Sequence, residues 1–342
     1  MKKVLCAYGS RADRGGIEAV YHALLKRNID STFGEINKFG EGFDVNGKLT
    51  DVEEFDLVVL LGDRYEVLYF ALYTYRKKKP IAHLSGGDIT TGSQDDCMRH
   101  AITKLSHLHF PTNNYSARVI RQLGEEPWRI HVVGYPGADH MVTHGKEVST
   151  KLVGDSDYML VVWHPNTLVP TRDAIAEASV ITSAIDKFPF KKLILSPNFD
   201  DGGLEIANYF EVWAAGTNNR YIGTLPRDMF LTVMKYAKVM VGNSSAGFYE
   251  APTFGTPVVN IGNRQLGRIV PPNMTWAGVE VDDIVEAINT AMEIERVVGR
   301  RVDNVYQRGN AADKIAEVIS NIKDVPKLLQ KGFNYSSDHW TS

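Results

Sequence analysis

Val239-Met240-Val241-Gly242-Asn243-Ser244-Ser245-Ala246-Gly247, with Glu250 three residues on, reads as an apolar strand, a loop of small polar residues and a helix start. Small residues let a backbone approach a ligand closely. Free N–H groups at a helix start attract an anion. The Ser244 and Ser245 hydroxyls add donors, and Glu250 suits the paired hydroxyls of a ribose. The stretch therefore reads either as half of a nucleotide site or as an ordinary turn with a serine cap.

Working outward, short apolar runs alternate with longer helical patterns. Val4–Tyr8, Leu57–Leu61, Ile81–Leu84, His109-Phe110 and His131–Val133 read as strands of a first series. Helices are expected over 17–27, 66–75 and about 95–106. After a polar stretch over 143–157 the pattern restarts. Tyr158–Trp163, Leu193–Leu195, Tyr221-Ile222, Val239–Val241 and Pro257–Ile261 are its strands, with helices over 175–188 and 227–237 and terminal helices over 281–296 and 311–322. Continuous apolar strands between helices imply parallel sheets covered on both faces. The expected architecture is α/β: two Rossmann-like, doubly wound domains with a central cleft. The boundaries are 1–145 for the first, 155–325 for the second and 326–342 for a tail.

Composition narrows the function. The 342 residues suffice for two domains, and a net charge of −3 gives no broad nucleic-acid-binding surface. Two cysteines, Cys6 and Cys97, are too few for a disulfide framework. No apolar run reaches membrane-spanning length and the first residues lack a signal peptide's apolar core, so a cytoplasmic protein without membrane partners is expected.

Polar clusters follow the strands. Asp63 closes Leu57–Leu61 and precedes Arg64 and Glu66; a carboxylate there suits chemistry or helix capping. The segment His83–His100 holds Asp88, Asp95, Asp96 and Arg99 in and after a glycine loop. Asp95 and Arg99 are one helical turn apart and can face one site. Asp88 and Asp95 are acid–base candidates, against the plainer reading of Asp95 and Asp96 as caps. In the second half, His164 can bind a phosphate or hold its turn, and Asn198 lies in a Pro/Asn/Asp turn. Arg264 or Arg268 suits a diphosphate, because a guanidinium bonds it in a bidentate way. Arg76-Lys77-Lys78-Lys79 reads as a solvated loop more readily than as a polyanion contact. No histidine and carboxylate spacing matches a zinc motif, and neither metal nor cofactor is expected.

Together these segments resemble the UDP-N-acetylglucosamine 2-epimerase family, in its hydrolysing branch, which serves sialic and nonulosonic acid synthesis. Gly9-Ser10-Arg11-Ala12-Asp13, Gly62-Asp63-Arg64-Tyr65-Glu66, the Gly86–His109 segment and Gly242–Arg268 carry the likeness, in order, over most of the chain. The resemblance implies a glycosyltransferase-B-like fold with the site in the cleft. It implies UDP on the second half, with Gly242, Asn243, Ser244 and Ser245 at the diphosphate, Glu250 at the ribose and His164, Asn198 and Arg264 assisting. It implies Arg11 for the phosphates and Asp63, Asp95, Arg99 and Asp88 for the sugar. The implied reaction passes through a glycal to UDP and the C2-inverted free sugar, with Asp63 and Asp95 as acid–base candidates. The chain departs from the family at Ser85, where Glu or His is usual, at Asp88, where Glu is usual, and at Arg14-Gly15-Gly16, where Tyr follows the aspartate. These departures keep open a transferase that moves the sugar to a small molecule, a glycan or a modified base in DNA. A homo-oligomer is compatible with either.

Overall fold

The computed structural model describes residues 3–37, 42–45, 48–139, 141–168, 170–198, 200–299 and 302–335. The chain forms two compact units, one of Met1–Ile89, Asp95–His140 and Tyr306–Ser342, the other of Thr90–Gln94 and Met141–Val305.

The first unit runs β1 (Lys3–Tyr8), α1 (Arg11–Lys26), β2 (Asp30–Ile36), β3 (Phe43–Val45), β4 (Lys48–Thr50), β5 (Leu57–Leu61), α2 (Tyr65–Arg76), β6 (Ile81–Leu84), α3 (Asp95–Leu105), β7 (Leu108–Phe110) and α4 (Asn114–Gln122). Its sheet has the order β4-β3-β2-β1-β5-β6-β7. It is parallel except for β3 and β4, which pair antiparallel at one edge. Leu57–Leu61 is buried along its whole length, as a central strand covered on both faces must be. The winding direction reverses between β1 and β5. There the loops Gly9-Ser10 and Gly62–Arg64 leave adjacent strand ends, and such a switch point is where these sheets bind ligands.

The second unit runs α5 (Lys146–Val153), β8 (Tyr158–Val162), α6 (Thr171–Ile185), β9 (Lys191–Leu195), α7 (Gly203–Ala214), β10 (Arg220–Ile222), α8 (Arg227–Tyr236), β11 (Val239–Gly242), α9 (Ala246–Tyr249), α10 (Ala251–Phe254), β12 (Val258–Ile261), β13 (Met274–Ala277) and α11 (Val281–Val298). Its strand order is β10-β9-β8-β11-β12-β13, all parallel, with the reversal between β8 and β11. Trp163, Ile181, Phe210, Val241 and Ile288 are among the side chains of its core.

Two differences from the sequence expectation concern boundaries. The helix expected over 311–322, now α12 (Ala311–Ser320), lies in the first unit and packs on α1. The tail expected from 326 includes part of α13 (Val325–Leu329) and is tied to the first unit: Arg129 Nη1 donates to the Leu328 carbonyl at 2.9 Å and Nη2 to the Gln330 carbonyl at 2.8 Å. Conversely, Thr90–Gln94 belongs to the second unit. Local patterns carry no information about which core a terminal amphipathic helix covers. The polar stretch over 143–157 contains α5, and 131–133 forms no strand, only an isolated bridge between His109 and Ile130. Among the described residues no helix is long and apolar enough to cross a membrane.

Candidate active site

In the second unit the site is built on the switch point. Gly242 ends β11 with φ +144°, and a Cβ there would lie 1.9 Å from the Val162 carbonyl oxygen on β8, so only glycine fits. The next residue ties the two loops together. The Asn243 side chain accepts from the His164 N–H and donates to the His164 carbonyl, both at 2.8 Å. The Asn243 carbonyl accepts from Gln265 Nε2 at 2.9 Å and from Arg264 Nη1 at 3.4 Å. Arg264 Nη2 also stands 4.0 Å from Asp200. One asparagine thus fixes both the histidine loop after β8 and the arginine loop after β12.

His164 Nδ1 accepts from the Asn198 N–H at 3.0 Å, so the proton of the neutral ring sits on Nε2, which makes that edge a donor. The Asn198 amide donates to Asp200, while its buried Oδ1 has no partner among the described residues. Ser244 and Ser245 are half-buried, and Ser244 Oγ accepts from the Ala246 N–H at 3.3 Å. The expected helix is only the four residues of α9, so the loop's own N–H groups and hydroxyls, more than a long macrodipole, attract an anion. Glu250, the link between α9 and α10, is buried. Burial pushes its carboxyl up, opposed by Arg227, whose Nη1 lies 3.4 Å from Oε1. Arg227 and Gln265 were not singled out from the sequence. Arg268 is engaged inside the unit, donating to Gln265 at 2.7 Å and to the Tyr249 hydroxyl at 2.5 Å. Thr90–Gln94 closes on these loops: Thr91 N–H donates to the Leu266 carbonyl at 2.9 Å and Gln94 N–H to Thr167 Oγ1 at 3.1 Å.

In the first unit Arg99 is the hub. Its side chain is 4% exposed. Nε donates to Asp63 Oδ2 at 3.0 Å, Nη2 donates to the same oxygen, and Nη1 donates to the Asp88 carbonyl at 2.9 Å. Arg99 thus holds Asp63 in place from below, where the sequence reading had put it on the sugar. Asp63 keeps 26% side-chain exposure and presents its carboxylate at the strand end. Asp88 is buried, and its Oδ1 accepts from Ser116 Oγ at 2.6 Å and Thr112 Oγ1 at 3.3 Å. That anchors the glycine loop to the start of α4. Asp95 opens α3, half-buried. Arg11 opens α1, but its side chain lies outside the described residues.

Three further residues shape this edge. His83 is fully buried; Nε2 donates to the Gly62 carbonyl at 3.2 Å and Nδ1 accepts from Thr103 Oγ1 at 3.1 Å. Burial depresses its pKa to about 3, so it stays neutral and props the backbone just before Asp63. Ser85 sits at φ +59° with a buried Oγ that has no partner among the described residues. Asp13 accepts from Ser10 Oγ at 2.7 Å. Burial, opposed by the Ser10 hydrogen bond and reinforced by the Asp63 charge, pushes its carboxyl up to about 7. The Ser10-x-x-Asp13 spacing at a helix start was the available signal for that residue. Among the described residues no group of three or more His, Cys, Asp or Glu side chains is placed to hold a metal ion.

The family model described as UDP-N-acetylglucosamine 2-epimerase matches residues 19–320. The GDP/UDP-N,N'-diacetylbacillosamine 2-epimerase (hydrolyzing) of Campylobacter jejuni is 33% identical over 241 residues, which is 68% of this chain and 62% of that protein. The polysialic acid biosynthesis protein P7 of Escherichia coli is 31% identical over 307 residues, 87% of this chain and 75% of that protein. The crystal structure of the Methanocaldococcus jannaschii UDP-GlcNAc 2-epimerase, in complex with UDP-GlcNAc and UDP, superposes with a TM-score of 0.77 at 18% identity, covering 94% of this chain and 99% of that one. With the match of the family model over most of the chain, this chain belongs to the UDP-N-acetylglucosamine 2-epimerase family.

Proposed function

We propose that the protein is a hydrolysing UDP-sugar 2-epimerase acting on a UDP-linked N-acetylated sugar, UDP-N-acetylglucosamine or a diacetylated relative such as that named for the Campylobacter protein. The observation that carries this reading is Asp63 held by the buried Arg99 at one switch point, together with the His164–Asn243–Arg264 array at the other. The second domain holds UDP. The Gly242–Ser245 loop, the His164 Nε2 proton, the Arg264 guanidinium and Asn198 serve the diphosphate, Arg11 is assigned to the phosphates, and Glu250 takes the ribose. The first domain supplies proton transfer through Asp63 and Asp95.

The chemistry needs what these groups offer. The C2–H bond breaks, its electrons form the C1=C2 double bond, and the C1–O bond breaks toward the diphosphate. Cationic and N–H donors stabilise the charge on departing UDP. Water then adds to the glycal, hydroxyl to C1 and proton to C2 on the opposite face. One water is consumed and the free C2-inverted sugar leaves. No acceptor enters. Within the basic run that a polyanion would use, Lys77 is paired with acids, lying 3.3 Å from Asp51 and 2.6 Å from Glu53. We place the enzyme in the cytoplasm, a reducing compartment that suits the exposed free thiol of Cys97. We infer self-association through the exposed face of α2, where Tyr65, Tyr69, Leu72 and Tyr75 recur at helical spacing.

The test is proton NMR of the purified protein with each UDP-sugar in deuterated water, without acceptor. UDP together with the C2-inverted sugar deuterated at C2 is expected. UDP with uninverted sugar makes the protein a simple hydrolase, and UDP appearing only with an added acceptor makes it a transferase.

A further inference from the structure

Residues 90–94 leave the first unit between Ile89 and Asp95 and are carried by the second. They form a packed turn. The Ser93 N–H donates to the Thr90 carbonyl at 3.0 Å, and Thr90, Gly92 and Ser93 are buried. Two loops of the second unit hold this turn. In the loop after β12, the Leu266 carbonyl accepts from the Thr91 N–H at 2.9 Å, and a Cβ on Gly92 would lie 1.7 Å from the Asn263 carbonyl oxygen. In the loop after β8, Thr167 Oγ1 accepts from the Gln94 N–H at 3.1 Å and stands 3.4 Å from Ser93 Oγ. These loops also carry Arg264 and His164, and Asn243 cross-links them.

Both ends of the turn lead to one side chain. Asp88, two residues before Thr90, offers its carbonyl to Arg99 Nη1 at 2.9 Å. Asp95, the residue after Gln94, opens α3, and Arg99 follows one helical turn on.

We propose that Thr167 is a positioning residue for Asp95: its hydroxyl fastens the 90–94 turn to the nucleotide loops, so that a filled diphosphate site fixes the start of α3. A diphosphate held by His164 and Arg264 restrains the loops that carry Thr167 and Asn263. Those loops restrain the turn, and Asp95 is one peptide bond beyond the N–H that Thr167 holds, a spacing of about 3.8 Å between Cα atoms that leaves no slack. With the site empty the loops are freer, and Asp95 with them. Binding of the nucleotide thereby completes the acid–base group that its chemistry needs.

The inference rests on the UDP site proposed above, so one measurement uses UDP alone and the other uses turnover. In the first, amide hydrogen exchange of the full-length protein is followed with and without saturating UDP. In the wild type, UDP should slow exchange at 242–245 and, by at least about threefold, at 95–99. Thr167→Val, which keeps the shape and removes the hydroxyl, should retain the first effect and lose the second. Thr167→Ser, which keeps the hydroxyl, should recover it. In the second, Thr167→Val should lower kcat about tenfold with UDP affinity within about threefold, and Thr167→Ser should again recover the loss. Exchange at 95–99 that ignores UDP in the wild type, or that still responds to it in Thr167→Val, overturns the proposal. So does a loss of UDP affinity as large as the loss of kcat, which would place Thr167 in the nucleotide site itself, and so does a serine variant that behaves like the valine one. A wild type that shows the coupled exchange but leaves UDP-sugars intact overturns the reaction and leaves the coupling standing. Failure to bind UDP overturns both.

Discussion

At the scale of single residues, the first domain's site depends on buried groups that hold exposed ones. Arg99 contributes two N–H donors to Asp63 and one to the Asp88 carbonyl, a fork that a lysine cannot reproduce. Arg99→Lys should lower kcat by roughly a hundredfold or more while UDP affinity stays within about twofold, as turnover kinetics and calorimetry will show. Equal losses in both would mean that the arginine supports the whole fold. Asp13 adds a stability effect of defined sign. Its folded pKa of about 7 lies above the ordinary carboxyl value of 3.8, so the native state holds the extra proton. The contribution is full below pH about 4 and is lost as pH rises toward 7. Asp13→Asn should therefore raise the melting temperature at pH 8 and change it little at pH 4; the reverse order would refute the shift. Sequence made Asp63 and Arg99 legible because strand-end carboxylates and i,i+4 pairs have local signatures. That Arg99 of α3 reaches Asp63, and that Asp13 Oδ2 lies against Gly62, depend on packing between distant segments that no local window records.

Elements explain where loops can go. Asn243, just after β11, binds the loops after β8 and β12, and the glycines around it mark close approaches. A Cβ on Gly92 would fall 1.7 Å from the Asn263 carbonyl oxygen, beside Arg264. Gly92→Ala must push the Asn263–Arg264 backbone away, and UDP affinity should drop about tenfold, a cost of about 1.4 kcal/mol. Unchanged affinity in calorimetry would show that Arg264 does not meet the diphosphate. Ser85 works the other way. It holds a left-handed φ of +59° with a buried hydroxyl that has no partner among the described residues. Ser85→Gly should stabilise the fold by roughly 1 kcal/mol, read as a higher melting temperature; a lower one would mean the hydroxyl is bonded in solution. The buried central strands are readable from their apolar runs and the glycine loops from composition, whereas β2, β3, β4 and β13, short or mixed in pattern, are not. The expected helix over 17–27 leaves Gly15 and Gly16 outside it, whereas α1 starts at Arg11. Gly16 is instead a contact point with Leu61, a demand set by helix-on-sheet packing.

For the whole molecule, the decisive feature is that the chain returns to its first domain. Asn310 precedes α12, which packs on α1, and the following residues bond the end of α3 and the loop after α4. At that end Glu125 is fully buried and receives Lys104 Nζ at 2.7 Å, Lys331 Nζ at 2.9 Å and His109 Nε2 at 3.0 Å. Lys331 also donates to the Lys104 and Ser106 carbonyls at 2.7 and 2.6 Å. Burial opposes the Glu125 charge, but the hydrogen bonds from His109, Lys104 and Lys331 outweigh it and hold the carboxyl down at about 2. His109 is neutral in this pair, since burial depresses its pKa despite the glutamate. Lys331 stands 206 positions from Glu125 in the sequence, so its meeting with the Lys104–His109–Glu125 group was not legible. Glu125→Gln leaves two ammonium groups around a neutral amide and should cost roughly 3–5 kcal/mol at pH 7. The sign with pH follows from the depressed carboxyl: its contribution is complete above about pH 4.5 and is lost as pH falls toward 2. Wild type and Glu125→Gln should therefore differ widely in melting temperature at pH 7 and converge at pH 2.5. In the variant, hydrogen exchange should quicken first across 325–335, because Lys331 loses its anion while Arg129 still holds the Leu328 and Gln330 carbonyls. Equal melting at pH 7, with those amides still protected, would show that Arg129 alone fastens the returning chain.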